Sequence, residues 1–200
     1  MKLFNTLSDK KELLPKPRKD APLRQAQGKL RLFVCGPTVY DNSHIGHART
    51  YLVFDAFTKY LRSQRIKLTY LQNITDIDDK IIARAKEKET TTEELAAQYT
   101  KAYFKDMKAL GIDSVDIYAP ATKHIPEIIA QVKTLEEKGH AYKINGDGYY
   151  FDITTFGDYG KLSHRTAAQA DDAVTRIDES VNKRNKGDFA LWKFASHADQ

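Results

Sequence analysis

The sequence predicts an α/β fold: a parallel-sheet domain first, then a smaller α+β module. Three observations predict it. An apolar run of strand length, Leu30–Cys35, is stopped by Gly36-Pro37. Helical periodicity from Ile45 and an alternating run at Lys67–Ile74 follow, so strand, helix and strand fall within about forty residues as a βαβ unit. Further on, Asn145-Gly146-Asp147-Gly148 separates two apolar runs, the pattern of a tight antiparallel turn.

Taken in order, residues 9–29 (DKKELLPKPRKDAPLRQAQGK) are rich in Lys, Arg and Pro and lack apolar periodicity. They read as a solvated connection, and residues 15–29 receive no role. The first helix carries apolar positions 45, 48, 52, 53, 56, 57, 60 and 61, expected to form its buried face, with Ser43 as the expected N-cap. A second helix is marked by Ile77, Ile81, Ile82 and Ala85. A third opens on the capping box Thr91-x-x-Glu94, runs through Leu95, Tyr99, Tyr103 and Met107, and stops at Gly111.

Around residues 113–123 the character changes. A helix over 126–138 starts with a first-turn proline and ends at Gly139. Ala141–Ile144 and Tyr149–Ile153 are the hairpin strands. The division this implies is residues 1–114 as the first domain and 115–200 as the second.

The 200 residues are 41% hydrophobic and 30% charged, ordinary for a folded globular chain. The single cysteine excludes an intramolecular disulfide and fits a reducing compartment. No apolar run approaches the ~18 residues that span a membrane, and MKLFNTLSDKKELLPKPRKD is interrupted by charge too soon for a signal peptide. A cytoplasmic protein without a membrane partner is expected. The net charge of +5 permits an anionic partner.

Candidate chemistry concentrates in FVCGPTVYDNSHIGHARTY, residues 33–51. In an open parallel sheet, ligands bind beyond the carboxyl ends of the strands. There the free N–H groups of the following helix favour an anion. Two imidazoles at positions i and i+3 share a face and can donate to phosphate oxygens. No GxxxxGK[ST] is present, so amides and imidazoles would replace the usual lysine. Three rival readings stand beside this: surface histidines, a local zinc site of Cys35, His44 and His47, and a Cys–His nucleophilic pair, which no other feature supports.

CGPTVYDNSHIGHART resembles the strand-end cysteine and HIGH signature of the class I cysteinyl-tRNA synthetases. The resemblance continues in NITDIDDKI (73–81), GHAY (139–142) and KRNKGDFALWK (183–193), and it spans nearly the whole chain from LFNTL (3–7) onward. It implies the first half of a class I synthetase Rossmann-like nucleotide-binding fold, residues 1–114, with an inserted α+β connective module over 115–200. It also implies ATP-dependent activation of cysteine as cysteinyl-adenylate and transfer to tRNA(Cys), with ATP as substrate alongside Mg2+, in a monomer. Cys35 would be one ligand of a zinc ion that binds the substrate cysteine as thiolate. His44, Gly46 and His47 would hold ATP, the two histidines being catalytic. Thr38 would also touch ATP, and Gly36 and Thr75 would bind the amino acid.

The family's other zinc ligands, its KMSKS loop and its anticodon-binding helices would be expected beyond residue 200, so this chain alone is expected to be inactive. Two alternatives are a cysteine ligase with an amino-sugar acceptor and a truncated nucleotide- or RNA-binding module. Asp76, Asp78 and Glu87 imitate an EF-hand, but Lys80 and Ile81 stand where a ligand and glycine are needed, and a helix-capping role is the simpler reading. Lys183, Arg184 and Lys186 form a basic cluster, either a solvated loop or a contact to tRNA phosphate.

Overall fold

In a computed structural model, residues 1–14, 29–164 and 182–194 are described. They fall into two compact units, residues 29–125 in one and residues 1–14, 126–164 and 182–194 in the other. No helix among the described residues is long and apolar enough to cross a membrane.

The first unit holds a three-stranded parallel sheet ordered β3-β4-β5, where β3 is Leu30–Val34, β4 Leu68–Ile74 and β5 Ile117–Pro120. The expected βαβ unit is present: helix α1, Ile45–Ser63, connects β3 to β4. β5 is not marked in the sequence. Its four residues lie inside the stretch where periodicity lapses, and they draw the sheet past residue 114. Helix α2 is Asp79–Glu87, N-capped by Asp78, whose carboxylate accepts from Lys80 N at 2.9 Å. Asp76 accepts from Thr122 N at 3.0 Å. Both carboxylates thus have structural work that needs no metal.

Helix α3, Thr92–Ala109, opens on the expected capping box. Glu94 N donates to Thr91 Oγ1 at 3.1 Å, and Thr91 N donates to the Glu94 carboxylate at 3.4 Å. Gly111, at φ +70°, adopts the left-handed turn that ends it. The core packs Val34 and Ile74 of the sheet against Tyr51, Ile81, Leu95 and Tyr103 of the helices.

The face that α1 buries differs in part from the expected one. Leu61 is buried as expected, but Tyr51, Asp55 and Thr58 point inward with it, whereas Ile45, Leu52, Val53 and Tyr60 are exposed. Counting apolar residues misses this face because two of its four members are polar. Asp55 is satisfied by a turn after α3: it accepts from Asp113 N at 3.0 Å, Ser114 N at 2.9 Å and Ser114 Oγ at 2.6 Å. A buried carboxylate with that many donors is tolerated in a core.

The second unit pairs β1, Lys2–Asn5, with β2, Lys10–Leu13, as an antiparallel hairpin. The solvated connection expected from residue 9 onward is therefore wrong at its start. Ladder hydrogen bonds and the Asn5–Glu12 side-chain bond of 2.9 Å hold these strands while their side chains stay mostly exposed, so no periodicity betrays them. The remainder of that stretch, 15–28, lies outside the described residues. Helix α4, Ile125–Glu137, precedes a sheet ordered β6-β7-β8. Its strands are β6 Ala141–Ile144, β7 Gly148–Phe151 and β8 Phe189–Lys193.

In that sheet Asp188 is buried and accepts from Tyr142 OH at 2.7 Å and Ile153 N at 3.1 Å. The basic cluster folds around it. Lys183 Nζ donates to the carbonyls of Lys186 and Asp188, and the Arg184 guanidinium lies 4.2 Å over the Tyr142 ring. Two of the three cations are thereby engaged within the chain.

Candidate active site

The candidate site is built where β3 ends and α1 begins. Cys35 follows β3 directly, with its thiol free and exposed. The chain then turns under tight constraint. Gly36 N donates to Asn73 Oδ1 at 2.7 Å, and a Cβ at residue 36 would stand 1.6 Å from the Asn73 carbonyl oxygen, so only glycine fits. Thr38 and Thr75 form a parallel bridge, closed by Thr75 N to Pro37 O at 3.0 Å and Val39 N to Thr75 O at 3.1 Å. Three of the expected substrate residues, Gly36, Thr38 and Thr75, therefore stand together at the strand ends.

Past this turn the loop is tied to α2. Asp41 pairs with Arg84 at 2.5 Å. The backbone N–H of Asn42 and this guanidinium together outweigh partial burial and hold the Asp41 carboxyl below its usual range.

At the start of α1 the structure corrects one expectation. The N-cap is His44, not Ser43. Gly46 N donates to His44 Nδ1 at 3.1 Å, and His44 N donates to His47 Nδ1 at 3.2 Å. The two side chains form a capping box of the kind usually made by Ser or Thr with Glu, each Nδ1 standing in for an oxygen. Serine is the commoner cap residue, but an imidazole nitrogen with a lone pair also accepts the bond.

This arrangement assigns the tautomers. A backbone N–H can only donate, so each Nδ1 facing one is unprotonated, and the hydrogen-bond pattern puts each ring's proton on Nε2. The rings stack at 3.9 Å between centroids. Partial burial, and then the neighbouring His44, lower the pKa of His47 below the ordinary histidine value and favour its neutral form. Gly46 belongs to the same device, since a Cβ there would come within 2.8 Å of the His44 ring. His44, Gly46 and His47 are thus one cap with two stacked imidazoles, each keeping an Nε2–H to donate, at a helix N-terminus, a setting suited to an anion.

Two residues that sequence reasoning did not single out complete the site. Tyr51 stacks on His47 at 6.3 Å and its hydroxyl donates to Cys35 O at 3.4 Å, so it touches both halves. Asn73 spans Gly36 and Thr75. The one available signal is an asparagine at the end of an apolar strand, LTYLQNI.

The metal reading can be tested on the donors. Cys35 supplies a single exposed thiol, and among the described residues no group of three or more His, Cys, Asp or Glu side chains could hold a metal ion. The local Cys35–His44–His47 zinc site is not formed. These residues by themselves do not make a zinc centre.

Against known proteins, residues 22–200 match the tRNA synthetases class I (C) catalytic domain. The cysteine–tRNA ligase of Thermococcus kodakarensis is 45% identical over 197 residues, 98% of this chain and 39% of that protein. That of Thermoplasma volcanium is 50% identical over 167 residues, 84% of this chain and 36% of its own length. The Symbiobacterium thermophilum enzyme is 44% identical over 194 residues, 96% and 40% respectively. The chain therefore spans about two fifths of the length of these curated relatives. Among solved structures, Mycobacterium tuberculosis methionyl-tRNA synthetase bound by methionyl-adenylate superposes with a TM-score of 0.57 at 16% identity, over 65% of this chain and 34% of that one. That likeness shows a shared Rossmann-like α/β fold.

Proposed function

The chain belongs to the family of class I (C) tRNA synthetase catalytic domains, and from that premise we propose that it serves the ATP-dependent activation of cysteine and its transfer to tRNA(Cys). In this reading the unit that holds the parallel sheet, up to residue 125, is the N-terminal half of the catalytic domain, and the later residues, in one compact unit with residues 1–14, belong to the inserted connective module. ATP, with Mg2+, cysteine and tRNA(Cys) are the partners of a monomeric, cytoplasmic protein.

The observation that carries the proposal is the reciprocal histidine cap. In adenylate formation the α-carboxylate oxygen of cysteine bonds to the α-phosphorus of ATP while the bond to the β-phosphate oxygen breaks and pyrophosphate leaves. Negative charge grows on the phosphoryl oxygens during this displacement. Two imidazoles whose Nδ1 atoms are held by backbone bonds before the ligand arrives keep Nε2–H free to donate to that charge with little reorganisation. Gly36, Thr38 and Thr75 shape the amino-acid side. Cys35 would be one ligand of a zinc ion completed by groups outside the described residues.

The test is binding of a non-hydrolysable ATP analogue by calorimetry. His44→Ala and His47→Ala each lower affinity about tenfold or more, on the scale of one lost charge-assisted hydrogen bond. His44→Asn, which keeps the cap acceptor but lacks Nε2, should fold normally and still bind weakly. Unchanged affinity in the double alanine variant would remove the histidines from the ATP site.

A further inference from the structure

The amide of Asn73 has only one orientation available. Gly36 N, a donor, lies 2.7 Å from one amide atom, which must therefore be Oδ1. The other atom, Nδ2, can only donate, and it stands 3.1 Å from Thr75 Oγ1. The Thr75 hydroxyl is thus the acceptor in that bond and must send its own proton elsewhere. Its backbone N–H is already given to Pro37 O and its carbonyl to Val39 N. Among the described residues, no acceptor is found for the hydroxyl proton, and the side chain is half-buried at the mouth of the strand ends.

We propose that Asn73 is a positioning residue that sets the polarity of the amino-acid site, locking Gly36 in its turn and aiming the Thr75 hydroxyl proton at an anionic acceptor of the bound cysteine. This rests on the reading of the site as one for cysteine. Thr75 then acts as a hydrogen-bond donor only, and the carboxamide is needed for its sense of direction as much as for its shape. Aspartate at the same position keeps the shape and still accepts from Gly36 N. It presents an oxygen where Nδ2 stood, so the Thr75 hydroxyl turns inward to donate to it and is lost to the ligand.

The experiment measures L-cysteine binding by equilibrium dialysis under reducing conditions, with the protein at its natural length. Asn73→Asp and Thr75→Val each weaken cysteine binding about tenfold, while a non-hydrolysable ATP analogue binds within about twofold of wild type. Thr75→Ser, which keeps the hydroxyl, restores affinity. The double variant is no weaker than Thr75→Val alone, because both changes delete one interaction. Slow amide exchange at Gly36 in Asn73→Asp shows that the turn survives. Wild-type affinity in Asn73→Asp overturns the proposal, as does an additive loss in the double variant, which would mark a simple charge effect. Wild-type protein that fails to bind cysteine removes the cysteine reading itself, and this inference with it.

Discussion

His44 and His47 together cap the first turn of α1, so the donors proposed for the phosphate and the helix cap are the same two side chains. Protonating Nδ1 of His47 would put a proton where the His44 N–H must donate. The folded-state pKa of His47 lies below its unfolded value of about 6.5, chiefly through burial. The sign follows: the unfolded chain binds the proton more readily, so the stabilisation is complete above that value and is lost as pH falls toward the folded pKa. Denaturant midpoints should therefore drop between pH 7.5 and 5.5. In His47→Asn, whose Oδ1 accepts without titrating, that part of the drop should vanish, and an equal drop in the variant would count against the cap. At this scale the HxxH spacing was plain in the sequence. The mutual capping was not, because it depends on where the backbone N–H groups of residues 44 and 46 point.

Helix α1 shows how an element can be read correctly in its extent and wrongly in its orientation. Its apolar residues predicted one face, but the buried one includes Asp55 at 4% exposure and Thr58 at 0%. What decides the orientation is the turn 113–114, whose N–H groups need an acceptor; that need arises fifty-odd residues away and leaves no periodicity in α1 itself. Asp55→Ala should strand those donors and cost about 3 kcal/mol or more in a denaturation experiment. Thr58, on the same buried face, is the opposite case. Its hydroxyl has no hydrogen-bond partner among the described residues. Thr58→Val, nearly the same shape, should therefore be neutral or stabilising by about 1 kcal/mol. A clear loss would reveal a partner for that oxygen.

On the scale of the whole molecule, βαβ connectivity, the α3 capping box and the β6–β7 hairpin were legible because each rests on local pattern. β1, β2 and β5 were not: each is four residues long and stabilised by ladder hydrogen bonds to a neighbouring strand, with β1 and β2 mostly exposed and β5 only partly buried. The site divided in the same way. Gly36, Thr38, Thr75, His44, Gly46 and His47 come together as two adjoining groups, while Asn73 and Tyr51, which join them, emerge only from contacts.

The most direct test of the proposed chemistry is ATP–pyrophosphate exchange by the protein at its natural length. Exchange should require cysteine, reject serine, and fall about a hundredfold or more in His47→Ala, the scale of losing one donor to a developing oxyanion. Exchange that proceeds without cysteine, or at wild-type rate with both His44 and His47 replaced by alanine, would contradict the account.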